Sequence, residues 1–135
     1  MMQLATFSGK QPWCCSVYFI TDELLNFYWA SLPTRRHSLE IEKNNKVAVA
    51  IAINYAIGEK VIGIQVEGSA KVLTKQSEIK SVATAYAKRF NRTDSWISDM
   101  TNNKTSHKLY KLTPSQFVVF DELNFPDDPR RVWQP

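Results

Sequence analysis

The sequence predicts a mainly β protein, a small barrel of six to seven mostly antiparallel strands with two main helices. Three observations predict it. Apolar and polar residues alternate along Gly63-Ile-Gln-Val-Glu-Gly-Ser-Ala-Lys-Val72, the period of a strand with one dry face and one wet face. Before residue 53, runs rich in Val, Ile and aromatics are separated by short polar turns. The strongest helical spacing lies in Ser77–Phe90, where Ile79, Val82, Ala83, Tyr86 and Phe90 form one stripe. Closing the sheet hides edges that a strand-rich chain would otherwise expose.

Taken in order, Gln3–Phe7 reads as a first strand, Ser8-Gly9-Lys10 as a turn and Pro12–Ile20 as a second strand. Thr21-Asp-Glu23 turns the chain into a third strand, Leu25–Ala30, so that the opening reads as a meander of hairpins. A short helix is expected over His37–Lys43, ended by Asn44-Asn45. Val47–Ile53 alternates Val or Ile with Ala, and its small residues leave room for close approach of a neighbour or a ligand. Asn54–Lys60 reads as a loop around Gly58, and Val61–Lys75 as a long strand. Ser77 is the expected N-cap of the main helix. Asn91–Ser106 is polar, with a short helix expected around Trp96–Met100. Lys108–Phe120 supplies one or two more strands, broken at Thr113-Pro114. The proline-rich end carries Trp133, which is expected to dock rather than stay in solvent.

The chain of 135 residues is expected to form one domain over 1–135 with a core of its own. Seventeen Lys and Arg against thirteen Asp and Glu give a net charge of +4, which favours anionic ligands without implying nucleic acid. The cations are scattered rather than interleaved with aromatics on one strand, so a nucleic-acid-binding barrel is the weakest of the functional readings. The two cysteines, Cys14 and Cys15, are adjacent and would point to opposite faces of a strand, a poor arrangement for a mutual disulfide. They read as buried thiols of a reducing compartment. No Cys/His cluster has zinc-ligand spacing, and no metal is expected. The opening Met1–Phe7 lacks a basic region and a long apolar run, and no apolar segment approaches a membrane span. A cytoplasmic protein without membrane attachment is expected.

Chemistry concentrates in Ser31-Leu-Pro-Thr-Arg-Arg-His-Ser38. Arg35, Arg36 and His37 sit where a helix begins, and cations there oppose the helix dipole unless an anion is present. Ser31 and Thr34 add hydroxyl donors, and a phosphate or another dianion suits the combination. Arg36 is the leading candidate, whereas Arg35 reads as solvent-facing.

Four segments in order resemble the pyridoxamine 5′-phosphate oxidase-like, FMN-binding split-barrel family. Leu4-Ala-Thr-Phe7, Gly9-Lys10 and Pro12-Trp-Cys-Cys-Ser-Val-Tyr-Phe19 look like its opening hairpin. Asn26–Ala30 with Thr34-Arg-Arg-His-Ser38 looks like its strand and phosphate loop. Asn45-Lys-Val-Ala-Val49 looks like its helix-to-strand step, and Gly63–Ala70 like its most characteristic strand. The resemblance implies FMN as cofactor, a homodimer with the flavin at the subunit interface, and an oxidoreductase acting on a small-molecule redox substrate. It implies that Arg36 and His37 grip the phosphate, helped by Ser31 and Thr34. It further implies that the strand around Cys15 and Ser16 runs beside the flavin ring, and that Gln65 reaches it from the long strand.

Other readings stay open at this stage. Gln65 equally suits an outward polar position, and Trp133 either closes the partner's site or simply packs. His107 reads as a surface residue. No catalytic residue is named, because a flavin supplies its own redox chemistry. A non-catalytic protein that binds or senses flavin, deazaflavin or haem is the alternative to the enzyme.

Overall fold

A computed structural model describes residues 1–9, 11–53 and 56–135. Lys10 of the first expected turn, and Asn54 and Tyr55 of the loop before the long strand, lie outside the described residues. The elements run β1 (Met2–Thr6), β2 (Trp13–Val17), β3 (Ile20–Thr21), β4 (Phe27–Ser31), α1 (Arg36–Lys43), β5 (Lys46–Ala52) and β6 (Ile62–Val72). There follow α2 (Gln76–Phe90), α3 (Asp94–Thr101), β7 (Lys108–Asp121) and β8 (Arg130–Trp133).

All strand pairs are antiparallel, and the sheet order is β2-β1-β5-β6-β7-β4-β3, with β8 added to β7. Strands β2 and β3 are therefore the two ends of that path, yet only Tyr18 and Phe19 separate them in sequence. Two intervening residues span only about 10 Å, so the sheet has to curl until its ends nearly meet. The seam is crossed by the chain itself, without a ladder between β2 and β3. This is a split barrel.

The expected single strand Pro12–Ile20 is thus two strands in different parts of the sheet, and the opening is not a simple meander. Hairpins β1–β2 and β3–β4 do form, but β4 pairs next with β7. Strand β4 alternates between two interiors. Phe27 and Trp29 enter the barrel core with Met2, Leu4, Val49, Val66 and Leu112. Tyr28 enters a second cluster with Val82, Ala83 and Met100 of the helices. That double burial explains the dense aromatic run.

Other boundaries move for local reasons. Thr113-Pro114 does not break the last long strand, because a bulge opposite Glu67 and Gly68 absorbs the proline that cannot donate to the ladder. A side chain at Gly68 would place a Cβ only 2.3 Å from the Thr113 carbonyl oxygen. The main helix starts at Gln76 with Lys75 as its N-cap, two residues earlier than a Ser77 cap requires, and after Phe90 it is closed by Asn91 in the left-handed conformation (φ 52°). The short helix expected in the polar segment is α3, capped by the Thr93 hydroxyl, which accepts from Trp96 N–H at 3.3 Å. The end of the chain forms β8, and the Trp133 ring packs 5.0 Å from that of Phe117. No helix among the described residues is long and apolar enough to cross a membrane.

Candidate functional site

Strand β2 is an edge strand, so its alternation places neighbouring residues in two different environments. Trp13, Cys15 and Val17 face α1 and the barrel, while Cys14 and Ser16 face outward. The site residues expected from sequence divide along the same line.

On the inner side, Ser31 at the end of β4 and His37 in the first turn of α1 are buried and joined, Oγ to Nε2, at 2.8 Å. The other ring nitrogen, Nδ1, meets the Cys15 thiol at 3.3 Å. A neutral imidazole offers one donor and one acceptor, and a thiol and a hydroxyl complement either tautomer. Burial, then the charge of Arg35, pulls the His37 pKa below its ordinary value, against a smaller opposing effect of Glu40. Burial, Cys14 and Glu40 push the Cys15 thiol upward. Ser31, His37 and Cys15 are therefore brought together, but as a neutral group that satisfies itself inside the fold. The His37 and Ser31 side chains do not face the exposed turn.

That turn holds Thr34, Arg35 and Arg36, all exposed. The N-cap of α1, Arg35, makes no side-chain capping bond. The first turn of α1 contains no acidic residue, so no side chain there offsets the dipole of its backbone N–H groups. Arg36 is partly engaged. Its Nε donates to Glu40 Oε1 at 2.9 Å and its Nη2 to the Gln11 carbonyl at 2.8 Å, with the guanidinium 4.6 Å from the centre of the Trp13 ring.

On the outer side, the ladder register builds a continuous row. Ser16 lies opposite Gln3, Gln3 opposite Ala50, Ala50 opposite Gln65, and Gln65 opposite Val118. Ser16 Oγ donates to Gln3 Oε1 at 2.9 Å. The next row runs Cys14, Ala5, Ala48, Glu67 and Gln116. The small Ala5, Ala48 and Ala50 form the floor of a groove of about 470 Å³ bordered by Cys14, Gln65 and Arg130. A flat floor flanked by amides, which both donate and accept, suits a planar heterocycle with a polar edge. Trp133 is not among the residues of this groove; it lies beside Phe117 and stays half exposed, so the expected docking is only partial.

These features fit a phosphorylated flavin. The uncapped α1 terminus and Arg36 suit its phosphate, the unpaired edge of β2 offers backbone groups, and the amide row suits its ring. A family model described as pyridoxamine 5′-phosphate oxidase matches residues 1–119. The chain belongs to that family. No curated protein sequence matches. Among solved structures, a conserved hypothetical protein of Mycobacterium tuberculosis is similar at 12% identity, over 93% of this chain and 79% of that one, with a TM-score of 0.76. HutZ, the heme storage protein of Vibrio cholerae, is similar at 16% identity over 84% and 80%, with a TM-score of 0.66. A Listeria innocua protein assigned to pyridoxamine 5′-phosphate oxidase is similar at 18% identity over 87% and 86%, with a TM-score of 0.63. At these identities the likeness is one of fold.

Sequence reasoning missed three parts of the site in this family member. Glu40 was readable as the i+4 partner of Arg36. Gln3 and Gln116 became visible only through the register that places them in the two outer rows.

Proposed function

We propose that this chain is an FMN-binding flavoprotein that works as a homodimer, with the flavin at the subunit interface, and as an oxidoreductase on a small-molecule redox substrate. The observation that carries the reading is the position of β2. Its free edge separates an uncapped, arginine-bearing helix start on one side from an amide-lined outer groove on the other. Arg36, Thr34 and the first backbone N–H groups of α1 would hold the phosphate; here His37 contributes its backbone rather than its ring. The edge backbone of β2, Ser16 and Gln65 would hold the polar side of the ring. When bound, the flavin supplies electron transfer; the chain's own residues bind it, orient it and exclude water from one face. The exposed outer sheet, with Ala48, Ala50, Val118 and Val132 on one surface, supports packing against a second copy. Contrary to the expectation of two buried thiols, Cys14 is exposed and Cys15 half-buried, because the edge strand turns one outward and the other toward α1.

Haem is the second reading, favoured by the fold shared with HutZ. The state of His37 favours flavin, because both of its ring nitrogens already have partners within the fold.

The test is an absorption spectrum of purified protein with mass analysis of any released chromophore, followed by titration of FMN and riboflavin into wild type and Arg36→Ala. A flavin spectrum and a loss of about 1.5–3 kcal/mol confined to FMN are expected. A haem spectrum, or equal losses for both ligands, would reject the assignment. Oxidation of NADH or NADPH by the holoprotein then separates an enzyme from a flavin-binding sensor.

A further inference from the structure

Glu40 carries a charge and is nearly fully buried, and so far it figures only as the partner of Arg36. Its two oxygens are used differently. Oε2 accepts from the Thr6 hydroxyl of β1 at 2.6 Å, and Oε1 accepts from Arg36 Nε at 2.9 Å. The Thr6 bond and Arg36 hold its carboxyl below the usual carboxylate range, against burial. The carboxylate is thus tied to the sheet on one side and to the arginine on the other.

The consequence for Arg36 is geometric. An arginine side chain has many rotamers, and immobilising it on a ligand normally costs about 0.5–1.5 kcal/mol. Here the guanidinium is already fixed at three points: the Glu40 carboxylate, the Gln11 carbonyl and the Trp13 ring. Nε and one N–H of Nη2 are used by these contacts. The remaining three N–H groups, one on Nη2 and two on Nη1, are left for another acceptor. We propose that Glu40 is a positioning residue. Tied to β1 through Thr6, it holds Arg36 so that the open end of the guanidinium presents to a phosphate at the start of α1.

The proposal rests on the reading of Arg36 as a phosphate ligand, and it has a rival of opposite sign. Glu40 could instead act as a charge brake that lowers the attraction of Arg36 for anions. Three substitutions separate the two, each read as the ratio of riboflavin to FMN dissociation constants, so that a general loss of structure cancels. Glu40→Gln keeps an acceptor for Arg36 Nε and removes the charge. Glu40→Asp keeps the charge but is too short to reach Thr6 and Arg36 together. Glu40→Ala removes both functions.

Positioning predicts that Glu40→Ala and Glu40→Asp lower the ratio about tenfold, while Glu40→Gln stays within about threefold of wild type. A brake predicts that Glu40→Ala and Glu40→Gln raise the ratio and that Glu40→Asp leaves it alone; that pattern overturns the proposal. Equal weakening of both ligands in all three also overturns it and leaves Glu40 a structural residue. If Glu40→Ala does not fold, the Asp and Gln variants decide by themselves. Arg36→Ala, measured alongside, keeps the two failures apart. Without FMN selectivity there, the phosphate reading itself falls. With it, and with an unchanged ratio in Glu40→Asp, only the role of Glu40 falls.

Discussion

The two faces of the β1–β2 hairpin differ in how fully their polar groups are used. On the inner face, Thr6 and Cys15 bond to Glu40 and His37 of α1, and His37 continues to Ser31. Each of these side chains has a partner within the chain. On the outer face, a few residues away on the same strands, Ser16 and Gln3 bond only to each other, and Gln65 has no side-chain partner among the described residues. A dry face must satisfy its polar groups internally, because an unpaired one costs about 1–3 kcal/mol; a wet face can leave them to water or a ligand. Polar residues of similar type therefore serve the fold on one face and remain available for recognition on the other.

The largest effect that would break this contrast is in His37→Ala. Removing the ring leaves buried Ser31 and half-buried Cys15 without their partner, and a stability loss of about 2–4 kcal/mol is expected in urea unfolding. The ratio of FMN to riboflavin affinity should stay near wild type. A variant of normal stability with a selective loss of FMN would show that the ring faces the ligand after all.

The pH dependence sharpens the same point. The folded pKa of His37 lies below its ordinary value of 6.5, so the unfolded chain binds more protons between the two values. The contribution of His37 to stability is complete above about 6.5 and is lost as the pH falls toward the folded pKa. Urea midpoints should therefore begin to fall below about pH 6.5 in wild type. In His37→Gln that early limb should be missing, leaving the more acid decline set by Asp22, Glu40 and Asp121, whose carboxyls hydrogen bonds hold low. Identical profiles would place the ring in solvent.

The smallest stability effects belong to the outer row. Ser16→Ala and Gln65→Ala should each shift stability by no more than about 0.5 kcal/mol. Each should weaken FMN and riboflavin alike, by about 0.5–1.5 kcal/mol for a lost neutral hydrogen bond. Isothermal titration of both ligands checks this. Unchanged affinity in both variants would move the ring off this face.

Much of the fold was legible because it depends on local periodicity. The alternation from Gly63 to Val72 is the central strand β6, and the stripe from Ile79 to Phe90 is the inner side of α2. The candidate site was legible in its composition but not in its orientation. Ser31 and His37 do meet, but Arg36 turns instead to Glu40, Gln11 and Trp13, and that division depends on β2 bringing Cys15 to His37 and Trp13 to Arg36. Glu40 could have been paired with Arg36 from helical spacing; its second tie, to Thr6, spans 34 positions and is invisible locally.

By itself the sequence determined the strand and helix types, the position of the basic turn and the family resemblance, because period, turn chemistry and charge act over a few residues. The tertiary structure decided where the second strand divides, that β4 pairs with β7, that Pro114 is absorbed in a bulge, and which face of each strand is left wet. Those outcomes depend on sheet closure. Curling brings the ends of the path together across Tyr18 and Phe19, and only then is it settled which polar groups are sealed inside and which remain free to bind.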